Sequence, residues 1–241
     1  MRICKLKHAV ALALVVLLAS PVFAQKPKNP PPTYTLTGLG TLGGLATNPS
    51  GINDRGDIWG GSQFTTENIS PFPSYAPFVI WAEGPQAGEM INFREVLESE
   101  GLIQTFNATN LTGVIDVQIG EINDLGHIVF IAHEIVDLEA GENLYYTYLY
   151  KPATVDTEGV LIPSSLKVVD INTQPVYEAA VNNNGVVASY SSANPGSGSY
   201  QWSEANGRDY LSNSVFVPDG VNLSGGMCGG RWRYTPGVGY T

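Results

Sequence analysis

Two histidines, His127 and His133, with Glu121 and Glu134 close by in sequence, have the chemistry to bind a transition metal or move a proton. If residues 126–135 run as one strand, the spacing of six puts both rings on one face. They then stand about 20 Å apart, too far to share one ion. Both are read as surface or edge-strand histidines. Asp54, Asp57 and Asp124 offer the oxygen ligands that a hard cation needs close together in a loop. Only Asp54 and Asp57 are near enough in sequence to serve one ion. The corresponding stretches 181–185 and 221–225 hold no carboxylate, so a repeated calcium site is not expected. Arg55-Gly56-Asp57 spells the tripeptide that integrins recognise, and a place on a hairpin would expose it.

Hydrolysis needs paired carboxylates at a set separation, or a serine with a histidine and an acid. Acids and serines are plentiful, but there is no GxSxG elbow, and Gly196-Ser197-Gly198-Ser199 has the composition of a flexible loop. No HExxH, phosphate-loop or dinucleotide motif appears. No catalytic, cofactor-binding or metal-ligating residue is assigned, and no cofactor is expected. Asn107, Asn110 and Asn222 begin N-glycosylation sequons, which matter only if a eukaryote secretes the chain.

The elements that must position these residues come from a phrase that recurs four times: a β-branched residue, Asn, two variable residues, then Gly. It reads Ile52-Asn53-Asp54-Arg55-Gly56, Ile122-Asn123-Asp124-Leu125-Gly126, Val181-Asn182-Asn183-Asn184-Gly185 and Val221-Asn222-Leu223-Ser224-Gly225. Asn can hydrogen-bond nearby backbone and Gly can take a positive φ, so the phrase predicts a tight strand turn. A repeated turn means a repeated supersecondary unit. Short apolar alternations flank each copy, and an aromatic strand follows: Phe78 to Trp81, Tyr148 to Tyr150, Tyr200 to Trp202 and Trp232 to Tyr234. From the turn Gly to the last aromatic the separations are 25, 24, 17 and 9 residues. The order of parts is fixed while one loop varies, and variable loops of repeat folds lie on one face, where binding surfaces form.

A fourth strand is expected in three units, at 89–93, 166–171 and 208–211. Four antiparallel strands per unit, repeated radially, give an all-β, propeller-like fold of about four units, incomplete or open. One amphipathic helix is expected over 92–101, with Phe93, Val96 and Leu97 on its apolar face.

Residues 1–24 read as a signal peptide cleaved after Ala24: Arg2, Lys5 and Lys7 precede an apolar run too short to span a bilayer, and Val22-Phe23-Ala24 ends it. Secretion or periplasmic export follows. Residues 25–32 form a Pro-rich linker, and 33–241 the β-repeat domain. The sequence has 12 bases against 22 acids, and removing the leader leaves nine bases. Such acidity repels phosphate backbones and anionic membranes, which excludes nucleic acid as an expected partner. Cys228 would be the sole thiol after cleavage, so stability must come from packing rather than disulfides.

Leu39-Gly40-Thr41-Leu42-Gly43-Gly44, followed by Gly51-Ile52-Asn53, resembles the HAF-repeat family of extracellular repeat proteins, as does Thr235-Pro236-Gly237-Val238-Gly239. Units two and three depart from it: no LGTLGG precedes Ile122 or Val181, and no aromatic strand carries His-Ala-Phe. The resemblance implies an exported, bacterial, β-rich repeat protein with no catalytic residues to carry over. Either the strand expected at 34–42 pairs with the final unit and closes a ring, or the chain is a shortened copy of a longer array. The expected function is a binding or surface-interaction module for an extracellular glycan or protein, without catalysis. The alternatives are a hydrolase or lyase of extracellular polymers, or a truncated array without function.

Overall fold

Strands reverse where three copies of the repeated phrase place Gly56, Gly126 and Gly185 at a positive φ, and this punctuation sets the element order. The structure is a computed structural model that describes residues 37–64, 75–104, 106–107, 112–137, 139–173, 175–191, 199–210, 216–221, 227–231, 234–235 and 239–240. Contacts divide the chain into Met1–Gly38 and Leu39–Thr241, and every described strand belongs to the second.

The first sheet holds β1 (Thr47–Ile52), β2 (Ile58–Gln63), β3 (Tyr75–Ile80) and β4 (Met90–Asn92), antiparallel and in sequence order. One helix, α1 (Phe93–Ser99), follows β4 directly. The second sheet holds β5 (Gly113–Ile122), β6 (Ile128–Asp137), β7 (Glu142–Lys151) and β10 (Ser165–Asn172), with the short hairpin β8 (Thr154–Val155) and β9 (Leu161–Ile162) inserted before its last strand. The third sheet is β11 (Val176–Val181), β12 (Val187–Ser191), β13 (Ser199–Ser203) and β14 (Gly207–Tyr210). β15 (Phe216–Val221) pairs with β16 (Met227–Arg231), and β17 (Tyr234–Thr235) with β18 (Gly239–Tyr240). The described residues are thus all-β apart from one helix, and their sheets are open. Each of the first three units has the four strands expected, with the aromatic segment as the third: β3, β7 and β13. The aromatic strand expected at 232–234 lies largely outside the described residues, as do the loops 65–74 and 192–198.

The second sheet is buried on both faces. Ile128, Phe130 and Ala132 face one cluster with Trp59, Val79 and the helix residues Phe93 and Leu97. Val129 and Ile131 face the other, with Val176, Val181, Val187 and Tyr200 of the third sheet. The alternation follows from the two-residue period of a strand. Phe93 packs edge-on against Phe130 and Tyr150, with ring centres 5.4 and 5.5 Å away, so α1 closes the first of these clusters as the sequence predicts. Among the described residues no helix is long and apolar enough to cross a membrane.

The strand expected over 34–42 is not formed in its described part. Residues 37–46 run as an irregular arch with Gly40 and Gly43 at φ of 78° and 121°, conformations that break extended pairing. Gly44 N donates to Gln63 O at 2.9 Å, so the arch lies over the end of β2 and β1 starts only at Thr47. β1 itself is polar and mostly exposed, and its Ile52 is 65 % exposed where the equivalent Ile122 and Val181 are 1 % and 2 %. It faces solvent as the terminal element of a stack does.

Candidate functional site

Asn53, Asn123 and Asn182 of the repeated phrase each sit where the first strand of a sheet must reverse, while the fourth copy, at 221–225, lies largely outside the described residues. Gly126 N donates to Asn123 O and Asn123 N to His127 O, at 2.9 and 3.0 Å, and the first and third turns repeat this pair of bonds. Gly56, Gly126 and Gly185 stand at φ of 92°, 77° and 72°, the left-handed step that follows a type I turn in a short hairpin. The Asn Oδ1 finishes the turn: in Asn123 it accepts Leu125 N and His127 N at 3.0 and 2.9 Å, and in Asn182 it accepts Asn184 N and Val186 N at 2.9 Å.

The amide left over reaches the neighbouring unit. Asn53 Nδ2 donates to Asn123 O at 2.9 Å, and Asn123 Nδ2 to Asn182 O at 2.7 Å. One position further on, Asp54 N donates to Asp124 Oδ1 and Asp124 N to Asn183 Oδ1, at 3.0 and 2.8 Å. Three turns are therefore laced into a row. Local turn chemistry explains half of the phrase, and joining of sheets explains the rest. A further turn of the same form, Asp156 to Val160 between β8 and β9, has Gly159 at φ 82° and Asp156 Oδ1 accepting Glu158 N and Val160 N. Reading Asx for Asn in the phrase would have found it.

The row of turns lines a pocket of about 410 Å³, where Asp54, Glu121 and Asp124 bring three carboxylates together. Burial pushes the Glu121 carboxyl above its usual range, and the nearby charge of Asp124 adds to this against the opposing bond from Val181 N. Three of these oxygens serve the fold: Glu121 Oε2 accepts Val181 N at 2.8 Å, Asp124 Oδ2 accepts Asn183 Nδ2 at 2.7 Å, and Asp124 Oδ1 accepts Asp54 N.

The other sequence candidates separate. His127 lies in the turn before β6 and His133 within β6, so they do not share a strand as the spacing suggested. Burial, then the Lys151 charge, lowers the pKa of His127, while His133 stacks on Tyr145 at 4.3 Å and meets Asn143 Oδ1 at 3.0 Å. Asp57 is fully buried rather than displayed. Its oxygens accept Ala82 N and Asn53 Nδ2 at 2.9 Å, with Arg55 Nε at 3.4 Å. The Arg55-Gly56-Asp57 tripeptide is therefore turn structure, because the third residue closes the hairpin from inside. Among the described residues no group of three or more His, Cys, Asp or Glu is arranged to hold a metal ion. Cys228 lies in β16, and its side chain is outside the described set.

Between the first two sheets runs an open groove made of two pockets of about 340 and 300 Å³ that share Tyr75, Ala76, Pro77, Asp116 and Val117. Phe64 and Tyr75 flank it, 40 % and 44 % exposed. A β-bulge between Val114 and Asp116 interrupts β5 there, and bulges re-aim side chains. Arg94 of α1 takes up the carbonyls the bulge turns outward, donating to Ile115 O at 3.0 Å and Val114 O at 2.7 Å, and pairs with Glu98 at 2.9 Å. The Asp116 carboxylate lines the groove with no hydrogen-bond or ion-pair partner among the described residues. On the far side of α1 a pocket of about 360 Å³ is lined by Glu83 and Glu100, and Glu100 is already engaged, accepting Tyr150 OH at 3.2 Å and Ser164 Oγ at 2.7 Å. No family model matches the chain, and neither does any curated protein or solved structure.

Proposed function

We propose that the chain is an exported β-repeat binding module of the HAF-repeat kind, released by cleavage after Ala24, with its four-stranded sheets set propeller-like around the row of turns. It binds an extracellular glycan or protein along the groove between the first two sheets and catalyses no reaction. One observation carries this: the polar groups of the turns are largely consumed in joining sheets, whereas the groove keeps the aromatic rings of Phe64 and Tyr75 and the carboxylate of Asp116 open to a ligand. Aromatic rings at a groove mouth supply large contact area at low entropic cost. Both rings flank the loop of the first unit, on the variable side that the repeat pattern marks. The test is binding of the purified chain to glycan and peptide arrays, with the double variant Phe64→Ala/Tyr75→Ala as the control. The double variant should lose at least about tenfold in affinity, roughly 1.4 kcal/mol, at an unchanged melting temperature. Equal binding by the variant, or no binding by the parent chain, would overturn the proposal.

A second reading, a hydrolase or lyase acting in the pocket beside the turns, is favoured by the three carboxylates there and by the raised Glu121. A carboxyl raised by burial gives up its proton less readily, which suits a group that donates to a leaving group. It predicts release of reducing ends or unsaturated products from an acidic or neutral polysaccharide, abolished by Glu121→Gln. Persistence of the products in that variant would eliminate Glu121 as the acid.

A further inference from the structure

The groove carries an uneven charge as well as apolar walls. Glu95, Glu98 and Asp116 line it against the single guanidinium of Arg94, and that guanidinium is committed to Glu98 and to the carbonyls of Val114 and Ile115. Glu95 Oε1 accepts Asn92 Nδ2 at 2.9 Å, whereas the Asp116 carboxylate has no partner among the described residues. Around these acids stand Phe64, Tyr75, Pro77, Ile115 and Val117. Free acceptors therefore face a cleft with an apolar floor, and its cationic donors are already spent. The two component pockets are continuous through five shared residues, so the cleft is elongated rather than a single cup.

We infer that the groove takes an extended peptide segment in which a lysine or arginine stands beside an apolar side chain. The apolar side chain packs between Phe64 and Tyr75, and the cation meets Asp116 with Glu95 behind it. Apolar contact supplies most of the affinity, and the carboxylates select sign and orientation, as charges at the rim of an interface do. A long basic side chain suits this cleft because its methylene stem can lie on apolar surface while its head reaches an acid. The inference names the ligand class for the groove already proposed as the binding site, and it rests on that proposal.

The experiment uses the full chain and three fluorescent probes: a hexapeptide alternating lysine with phenylalanine, the same peptide with glutamate in place of lysine, and the free diamine cadaverine. The lysine peptide should bind, and the glutamate peptide should bind at least about tenfold more weakly. Raising salt from low to several hundred millimolar should weaken the lysine peptide severalfold, since the rim charges are screened. Asp116→Asn should weaken the lysine peptide about fivefold without changing the melting temperature, because the Asp116 side chain makes no bond to the described residues while its backbone pairing with His133 is kept. Equal binding of the two peptides, with Asp116→Asn silent but Phe64→Ala/Tyr75→Ala effective, would overturn the charge inference and leave the groove in place. Peptide binding indifferent to the aromatic variant would overturn both. Cadaverine binding as tightly as the lysine peptide would show a simple amine site and overturn the peptide assignment.

Discussion

The side-chain amide of Asn123 donates to the main-chain carbonyl of Asn182, 59 residues away, at 2.7 Å, while its Oδ1 closes the turn to which Asn123 itself belongs. Oxygen and nitrogen of one buried amide thus do two jobs, accepting twice from its own backbone and donating to the next sheet from separate atoms. Asp156 makes the contrast within the same molecule. Its turn has the same backbone bonds, but a carboxylate has no donor, and this exposed hairpin stands without an inter-sheet partner of that kind.

Asn123→Asp therefore keeps the local turn and removes the link, setting a carboxylate against the Asn182 carbonyl in a nearly closed site. Asn123 is only 5 % exposed, so the loss should reach about 1–3 kcal/mol. Urea denaturation at neutral pH measures it, and Asp156→Asn serves as the matched control with a change near zero. Equal stability of Asn123→Asp and the parent chain would reduce the amide bond to an incidental contact.

Asp57→Ala should destabilise by about 1–3 kcal/mol, because the Ala82 N–H and the Asn53 amide both lose an acceptor inside the fold. Cell-adhesion assays on the parent chain should show no dependence on Arg55-Gly56-Asp57, since the aspartate is fully buried. Adhesion blocked by a soluble peptide of that tripeptide would contradict the buried geometry.

Strand order and sheet content were legible in the sequence because they depend on local signals. The Asn and Gly of the first three phrases fix a reversal, and the aromatic strands mark the third position of the first three sheets, so β3, β7 and β13 fall where expected. The helix was legible for the same reason, with Phe93 and Leu97 spaced to share one face. The inter-sheet bonds from Asn53 and Asn123 were not, since they join residues 70 and 59 apart and leave no local pattern. The bulge that presents Asp116 was hidden too: β5 reads as a plain alternation, and only pairing with β6 shows the register slipping between Val114 and Asp116. Burial of Asp57 was missed because a tripeptide motif says nothing of the Ala82 N–H that waits for the carboxylate.

Gly120 tests how tightly the second and third sheets meet. A Cβ there would run into the Ala179 carbonyl oxygen of β11, and Gly120 O accepts Trp59 Nε1 from β2 at 3.2 Å. Gly120→Ala should cost about 1–3 kcal/mol through forced separation of packed strands. The same substitution at Gly61, where the nearest atom to a Cβ would be 3.8 Å away, should change stability little. A smaller effect at Gly120 than at Gly61 in parallel melts would show that β5 and β11 can part freely.

Glu121 gives stability a pH dependence of a definite sign. Burial and the Asp124 charge raise its carboxyl above the ordinary 4.5, more than the Val181 N–H lowers it. Between 4.5 and the raised value the folded chain holds more proton than the unfolded one, so this group's contribution falls as pH rises through that interval. The penalty is absent below the unfolded value and complete above the folded one. Glu121→Gln keeps an acceptor for Val181 N but carries no charge, so it should melt above the parent chain at pH 7 and 8, with the gap closing toward pH 4. Melting of the variant below the parent at pH 7 would mean that the charged bond to Val181 N outweighs the cost of burial. The residue would then be a structural anion rather than a protonated acid, and the hydrolytic alternative would lose its proton donor.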